Sequence, residues 1–340
     1  MKHSEIGYWV NVSLQHLRSF SLRSENIDEF ETTMIAGEIA LLLNAIRGRE
    51  EVSQNEILRI AKAQKIPRQR CLNQLIPSIE LIESQRIIVY RHKNTNEVTL
   101  EEHLFTIEQL NEVVGQIWEK LTPSLIERAA LHILSSTFVM PRTKTEQINI
   151  LSDNGFKDQD AEHSLGVSTS FSLVQSVSAN KSQDPVIFNP YIWRSNKEKI
   201  AHAIVRLPED ERDAVRESLV QVSSFQGLPA DNLSVNRGLL KTAHGVGLLD
   251  VVEVCTANSD RKEFVFSPHL TTHPEYGAFA DDLLNDVRAV LACVSYGEHY
   301  SRISRLGGVD RDKTIKTLRK LINTGEAGDA TAIGVDGFVA

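Results

Sequence analysis

Leu173-Val174-Gln175-Ser176-Val177, followed by Ala179-Asn180 and then by Val186-Ile187-Phe188-Asn189-Pro190-Tyr191-Ile192, decides how this chain is read. At an offset of 78 residues it lines up with Val251 through Ala257-Asn258 to Phe264-Val265-Phe266-Ser267-Pro268-His269-Leu270. Ala179, Asn180, Phe188 and Pro190 recur identically as Ala257, Asn258, Phe266 and Pro268. Each copy reads as two β-rich runs around a polar stretch, NKSQD in one and NSDRK in the other, closed by a proline that stops the second strand. Self-similarity at a fixed offset marks a repeated supersecondary unit. Phe188 and Phe266 are expected in equivalent strand positions and buried, since each sits on a hairpin that must cover its helices.

The residues ahead of each hairpin are helical in pattern. Before the first copy, Ser124–Phe138 sets Leu125, Ala129, Leu131, Ile133 and Leu134 near helical spacing. Thr143 or Thr145 can cap a second helix that ends at Gly155, and DQDAEHSLG makes a third. The same order occurs near the N-terminus. Ile35-Ala36, Ile39, Leu42-Leu43 and Ile46 line one helix ending at Gly48, and Ser53 with Glu56 is a capping box for the next. Pro67 opens a third helix with Leu72, Leu75-Ile76 and Ile79 inward, and Pro77 must kink or restart it. Ile87–Arg91 and Glu97–Leu100 then alternate as strands around a turn at residues 92–96. In the copy before Val251 the second helix looks eroded between Gly227 and Gly238. A fourth, less complete copy has helices over Tyr276–Tyr296 and Asp310–Ile322, with Ile315, Leu318 and Ile322 inward, and short strands at Thr331–Gly334 and Phe338–Ala340. Phe105–Leu121 and Asp210–Phe225 read as long joining helices.

Helix, helix, helix, strand, wing loop, strand is the plan of a winged helix-turn-helix, and by this element order the chain resembles the winged-helix superfamily over nearly its whole length. The expected fold class is mainly α with small β-hairpins (α+β), a tandem array of three to four winged-helix-like units joined by longer helices. The divisions are a lead segment 1–32, a basic first unit 33–104, a joining helix and second unit 105–193, a third unit 194–272 and a fourth, with a basic helix, 273–340. The resemblance implies DNA binding in many members and protein–protein assembly in many others, and it transfers no functional residue.

Composition bounds the rest. The chain has 340 residues, 41% hydrophobic and 24% charged, so a disordered or collagen-like chain is excluded. A net charge of −8 excludes a uniformly basic nucleic-acid coat but leaves room for local basic patches. No apolar run reaches the roughly 18 residues of a membrane helix. Three scattered cysteines without a CxxC pair, and an N-terminus without the apolar stretch of a signal peptide, lead to the expectation of a cytoplasmic protein. Cys71 and Cys293 read as core residues.

No constellation of an enzyme assembles. There is no phosphate loop, and Gly245-Val246-Gly247 suits a helix end better than a dinucleotide fingerprint. His269 and His273 have zinc-protease spacing without the glutamate, between Pro268 and Pro274. Ser168 lacks the second glycine of a nucleophile elbow. No catalytic residue, metal or cofactor is expected.

What stands out is where the cations cluster. Residues 57–93 hold eight basic residues against Glu80 and Glu83, and 302–320 hold seven against Asp310 and Asp312. In a helix-turn-helix the third helix enters the major groove and the wing touches phosphate. Arg68, Arg70, Asn73 and Gln74 would project from that helix, Arg and the amides having bidentate base partners. Lys62 and Lys65, with Arg91 and Lys93 in the wing, would bind phosphate. On the last helix Lys313, Lys316, Thr317 and Lys320 form one stripe suited to phosphate rather than to base reading. The two middle units lack such chemistry, the acidic DQDAEHSLG helix least of all suiting DNA, and read as spacers or protein-contact surfaces. The expectation is sequence-selective binding of double-stranded DNA, as in transcriptional regulation or a mobile-element or defence role. The alternative is a non-enzymatic scaffold that binds protein partners, the acidic middle being the surface for it.

Overall fold

The computed structural model describes residues 1–20, 27–82, 84–93, 97–180, 184–255, 261–271, 280–300 and 311–324. The expected last strands, Thr331–Gly334 and Phe338–Ala340, and the hairpin tips at 94–96, 181–183 and 256–260 lie outside them. Two compact units divide the chain. One comprises Met1–Phe138, Arg142–Ser176 and Ile187–Pro190, the other Val139–Pro141, Val177–Val186 and Tyr191–Ala340. The described residues are mainly helical, with three small sheets of three strands each.

The chain begins with α1 (His3–Phe20) and α2 (Glu31–Ile46), followed by β1 (Glu51–Ser53) and α3 (Gln54–Ala63). Ser53 and Glu56 form the expected capping box at the start of α3. The third helix of this first segment runs as α4 (Arg68–Arg70), a π-turn over Cys71–Leu75, and α5 (Ile76–Glu80). Pro77 explains the π-turn. Its nitrogen carries no hydrogen to donate, so the helix widens just before it, with the Ile76 N–H reaching the Cys71 carbonyl five residues back. The Ser78 hydroxyl donates to the Gln74 carbonyl at 2.7 Å. The helix therefore restarts within one path instead of ending. β2 (Ile87–Arg91) and β3 (Val98–Glu102) form the hairpin, and β1 adds to β3 antiparallel, with Val52 and Val89 both opposite Leu100.

α6 (Ile107–Lys120) follows, capped by a reciprocal Thr106–Gln109 pair. It does not merely join segments. α1 and α6 touch backbone to backbone: a Cβ on Gly7 would lie 1.9 Å from the Asn111 carbonyl oxygen, and one on Gly115 2.0 Å from that of His3. Any other residue at either position would force the helices apart. α1 also packs on α2, where Gly37 sits against the Leu14 side chain.

The second segment is α7 (Leu125–Val139), β4 (Arg142–Thr143), α8 (Lys144–Asp153), α9 (Asp158–Ser170), β5 (Gln175–Val177) and β6 (Val186–Phe188). Thr143 is the α8 cap, in a box with Glu146, and Gly155 takes the left-handed φ of +89° that ends it. The third segment has α10 (Lys197–Arg206), α11 (Glu209–Ser224), β7 (Leu228–Pro229), α12 (Arg237–Val246), β8 (Asp250–Cys255) and β9 (Arg261–Phe266). Its eroded second helix is a single 3-10 turn, Ala230–Asn232, and Gly247 (φ +88°) ends α12. The three sheets share one strand order, β1-β3-β2, β4-β6-β5 and β7-β9-β8. Phe188 and Phe266 end the central strand of the second and third sheets, and both are fully buried.

At or just past the end of each central strand stands a buried polar residue bonded to the helix ahead of its sheet or to the turn after it, α2 for Glu102, α7 for Asn189 and α11 for Ser267. Glu102 Oε1 accepts the Gly48 and Arg49 N–H groups, and its Oε2 accepts that of Leu104 at 2.9 Å. The Asn189 amide donates to the Leu134 carbonyl at 2.9 Å. Ser267 N–H donates to Gln226 Oε1 at 3.0 Å, and the Gln226 amide donates back to the Ser267 hydroxyl at 2.8 Å.

α13 (Ala280–Tyr300) and α14 (Arg311–Thr324) differ from expectation. α13 does not open a separate fourth core. It lies on the third sheet, where Ala292 and Tyr296 pack on Phe264 and Phe266, and Arg288 pairs with Asp250 at 2.9 Å. Cys293 is exposed, against expectation, while Cys71 is buried as expected. On α14, Ile315 and Ile322 are exposed, Ile322 by 81%, so the expected inward stripe does not face a core.

Two stability outcomes follow from these contacts. Gly115→Val should destabilise the chain by about 3 kcal/mol, the upper end of ordinary overpacking, read as a lowered thermal midpoint. Glu102→Ala removes the acceptor of the Gly48 and Leu104 N–H groups, while the Arg49 N–H keeps the Ile46 carbonyl, and should cost about 2–3 kcal/mol in denaturant unfolding, with Glu102→Gln recovering part of it.

Candidate nucleic-acid interface

Positions around the first segment's third helix are set by its surroundings. α3 ends in a Schellman-type turn, with the Ile66 N–H bonded to the Ala61 carbonyl at 2.8 Å. Lys65 occupies the left-handed position of that turn, φ +59°. The matching turn of the second segment, between α8 and α9, places Gly155 there. A lysine in left-handed geometry costs about 1 kcal/mol or more that a glycine would avoid. The turn thus holds a cation where backbone energy favours glycine.

Lys62, Lys65 and Arg68 are exposed around this turn, and Gln69, Asn73 and Gln74 are exposed along the helix that follows. Lys93 is exposed on the hairpin. Among the described residues none of Lys62, Lys65, Arg68 and Lys93 forms an ion pair, so their charges are open to a ligand.

Arg70 and Arg91 stand differently from their sequence assignment. Arg70 Nε donates to Glu38 Oε2 on α2, a carboxylate that is itself buried, and Arg18 of α1 approaches the same carboxylate at 3.5 Å. Arg18 also donates to the Gln64 carbonyl at 3.1 Å. These contacts clamp the third helix to α1, α2 and the end of α3. Arg91 donates to both oxygens of Glu80 at 2.6 and 3.0 Å, tying the hairpin to the end of α5. Both guanidiniums therefore position the third helix and hairpin within the fold. Spacing alone put Arg70 on the open side because it does not reveal Glu38, which lies 32 positions earlier.

Cys71, one residue along, is buried, and desolvation followed by the Glu38 charge pushes its thiol up to about 11. It is a packing residue and not a nucleophile at neutral pH.

On α14, Lys316 and Lys320 are exposed; the side chains of Lys313 and Thr317 lie outside the described residues. The exposed face of α9 carries Asp158, Gln159 and Glu162, an acidic surface in the position where the first segment is basic. α12 departs from the sequence reading, for it exposes Arg237, Lys241, Thr242 and His244. The acidic total of residues 201–300 hid that local excess.

No group of three His, Cys, Asp or Glu side chains able to hold a metal occurs among the described residues. His269 is buried, its ring nitrogen Nδ1 3.0 Å from the Ser267 hydroxyl and its ring edge-on to Trp193. No helix among the described residues is long and apolar enough to cross a membrane. No family model, curated protein or solved structure matches this chain.

Proposed function

We propose that the first segment binds double-stranded DNA as a winged helix-turn-helix, with α4–α5 in the major groove and the β2–β3 hairpin as its wing. The observation that carries this reading is Lys65, held in left-handed geometry where the second segment has glycine, with Lys62 and Arg68 open beside it. Such a cluster at the start of the third helix meets the phosphates flanking a groove. Asn73 and Gln74 lie one turn further, where an amide reaches adenine N6 and N7. The π-turn over Cys71–Leu75 carries both of them, and the Arg18–Glu38–Arg70 contacts hold that turn against the core. Rigid support of this kind favours base reading, which depends on hydrogen-bond geometry. By the same reasoning the three segments are tandem winged-helix units of unequal chemistry. The acidic α9 face, with Asp158 and Glu162, favours a protein-contact role for the second of them.

Phosphate and base contacts should fail in different ways. Lys62→Ala with Arg68→Ala should weaken binding to all duplexes alike and reduce the salt slope by about two, near one per lost phosphate contact. Asn73→Ala or Gln74→Ala should cost about 1–3 kcal/mol on the preferred site and leave random-sequence binding nearly unchanged. A salt titration against random and own-locus duplexes measures both; absence of any salt-sensitive binding at about 50 mM salt overturns the reading.

Lys65→Gly separates binding from stability. It should raise stability by about 1 kcal/mol in denaturant unfolding, since it relieves the left-handed lysine, and lower the salt slope by about one. A variant that gains stability with unchanged DNA binding would remove Lys65 from the interface.

A further inference from the structure

α12 presents an exposed arc that changes character around its circumference. At about 100° per residue, Arg237 and Lys241 fall along one edge, Gly245 and Gly238 in the middle, and Thr242 and Val246 along the other. Arg237, Gly238, Lys241, Thr242 and Gly245 are exposed. A Cβ on Gly245 would meet nothing within 4 Å, and one on Gly238 only the Asn236 side-chain oxygen at 3.3 Å. The middle of the arc is therefore bare backbone on the outer face of α12.

Past Thr242 and Val246 the surface falls into a groove of about 440 Å³ whose far wall is α10, with Lys199 and Arg206. Both cations are exposed, and among the described residues neither forms an ion pair. Glu211 is the one carboxylate of the groove lining. Arg237 has a loose contact with Asp231, 3.4 Å between two exposed side chains, which competes weakly with a ligand. The surface is a groove walled by Ala203, Leu207, Pro208, Thr242 and Val246, with Lys199 and Arg206 on its α10 side and Arg237 and Lys241 further round α12, beyond the two glycines.

We propose that this surface takes a phosphodiester backbone, which makes the third segment a second nucleic-acid contact of the chain; this rests on the DNA-binding reading of the first segment. The charge of this surface favours that ligand: open cations on both helices, against Glu211 alone among the lining carboxylates, suit a continuous polyanion. From Arg237 to Val246 the helix also has no Asn or Gln, so this contact adds affinity and leaves sequence choice to the first segment. Two contacts on one chain reinforce each other on a duplex long enough to span both.

The test is the salt dependence of the full-length chain on long random and preferred duplexes, with the combined variant Lys199→Ala, Arg206→Ala, Lys241→Ala. The salt slope should fall by about two to three, and affinity on both duplexes by about tenfold or more, with the preference between them unchanged. All three side chains are exposed, so the melting temperature should stay that of the parent chain. Lys241→Glu alone should weaken binding more than Lys241→Ala, and Lys241→Arg should retain it. An unchanged slope in the combined variant, alongside a lowered slope in Lys62→Ala with Arg68→Ala, removes the second surface and leaves the first-segment reading standing. Lowered slopes in both sets support the two contacts together. A parent chain without salt-sensitive duplex binding overturns the first-segment reading and the second surface with it.

Discussion

At the end of each central strand a buried polar residue is hydrogen-bonded to the helix ahead of its sheet or to the turn after that helix. A helix ends with carbonyls, and the turn after it with N–H groups, that have no partner inside the helix. Burying them unpaired costs about 1–3 kcal/mol each. Glu102 accepts from Gly48 and Arg49, Asn189 donates to Leu134, and Ser267 exchanges two hydrogen bonds with Gln226. The side chains differ in charge and length, yet each occupies the same place in the topology. The contact ties the hairpin to that helix, next to Leu100, Phe188 and Phe266 in the core. The short strands β1, β4 and β7 lie on the other edge of each central strand and complete the sheets.

On that shared frame the exposed face of the third helix is free to vary, because it contributes nothing to the core. The first segment carries cations and amides there, the second Asp158 and Glu162, the third cations around glycine. Equivalent elements thus have opposite charge within one chain. A net charge of −8 conceals this, since it averages over faces of opposite sign. The cost of specialising the first segment is visible in its backbone. Lys65 is strained, and the π-turn ahead of Pro77 departs from regular helix, a deviation frequent at functional sites.

Local features were legible in the order of the residues alone. The capping box at Ser53, a threonine cap at 143 or 145, the helix ends at Gly48, Gly155 and Gly247, the disturbance at Pro77 and the burial of Phe188 and Phe266 all depend on neighbours within a few residues. Contacts between distant elements were not legible. The Glu38 carboxylate that holds Arg70, the Glu80 carboxylate that holds Arg91 and the backbone contact of α1 with α6 depend on approach across many residues. Gly7 and Gly115 stand in ordinary helical patterns, and nothing nearby in sequence shows that a helix backbone lies against each. Ile315 and Ile322 repeat at helical spacing, and whether a core meets them is not a property of that spacing.

The sequence by itself showed that helices and a hairpin recur, where several of those helices begin and end, and which stretches are rich in cations. These follow from short-range sterics, capping hydrogen bonds and hydrophobic periodicity. Tertiary structure alone decided which cations remain open to a ligand. An arginine is a candidate contact or a positioning strut according to whether a carboxylate from another element reaches it, and α10 brings Lys199 and Arg206 beside the cations that α12 already exposes. Charge is written in the sequence residue by residue, but the field at a surface is a sum over neighbours in space.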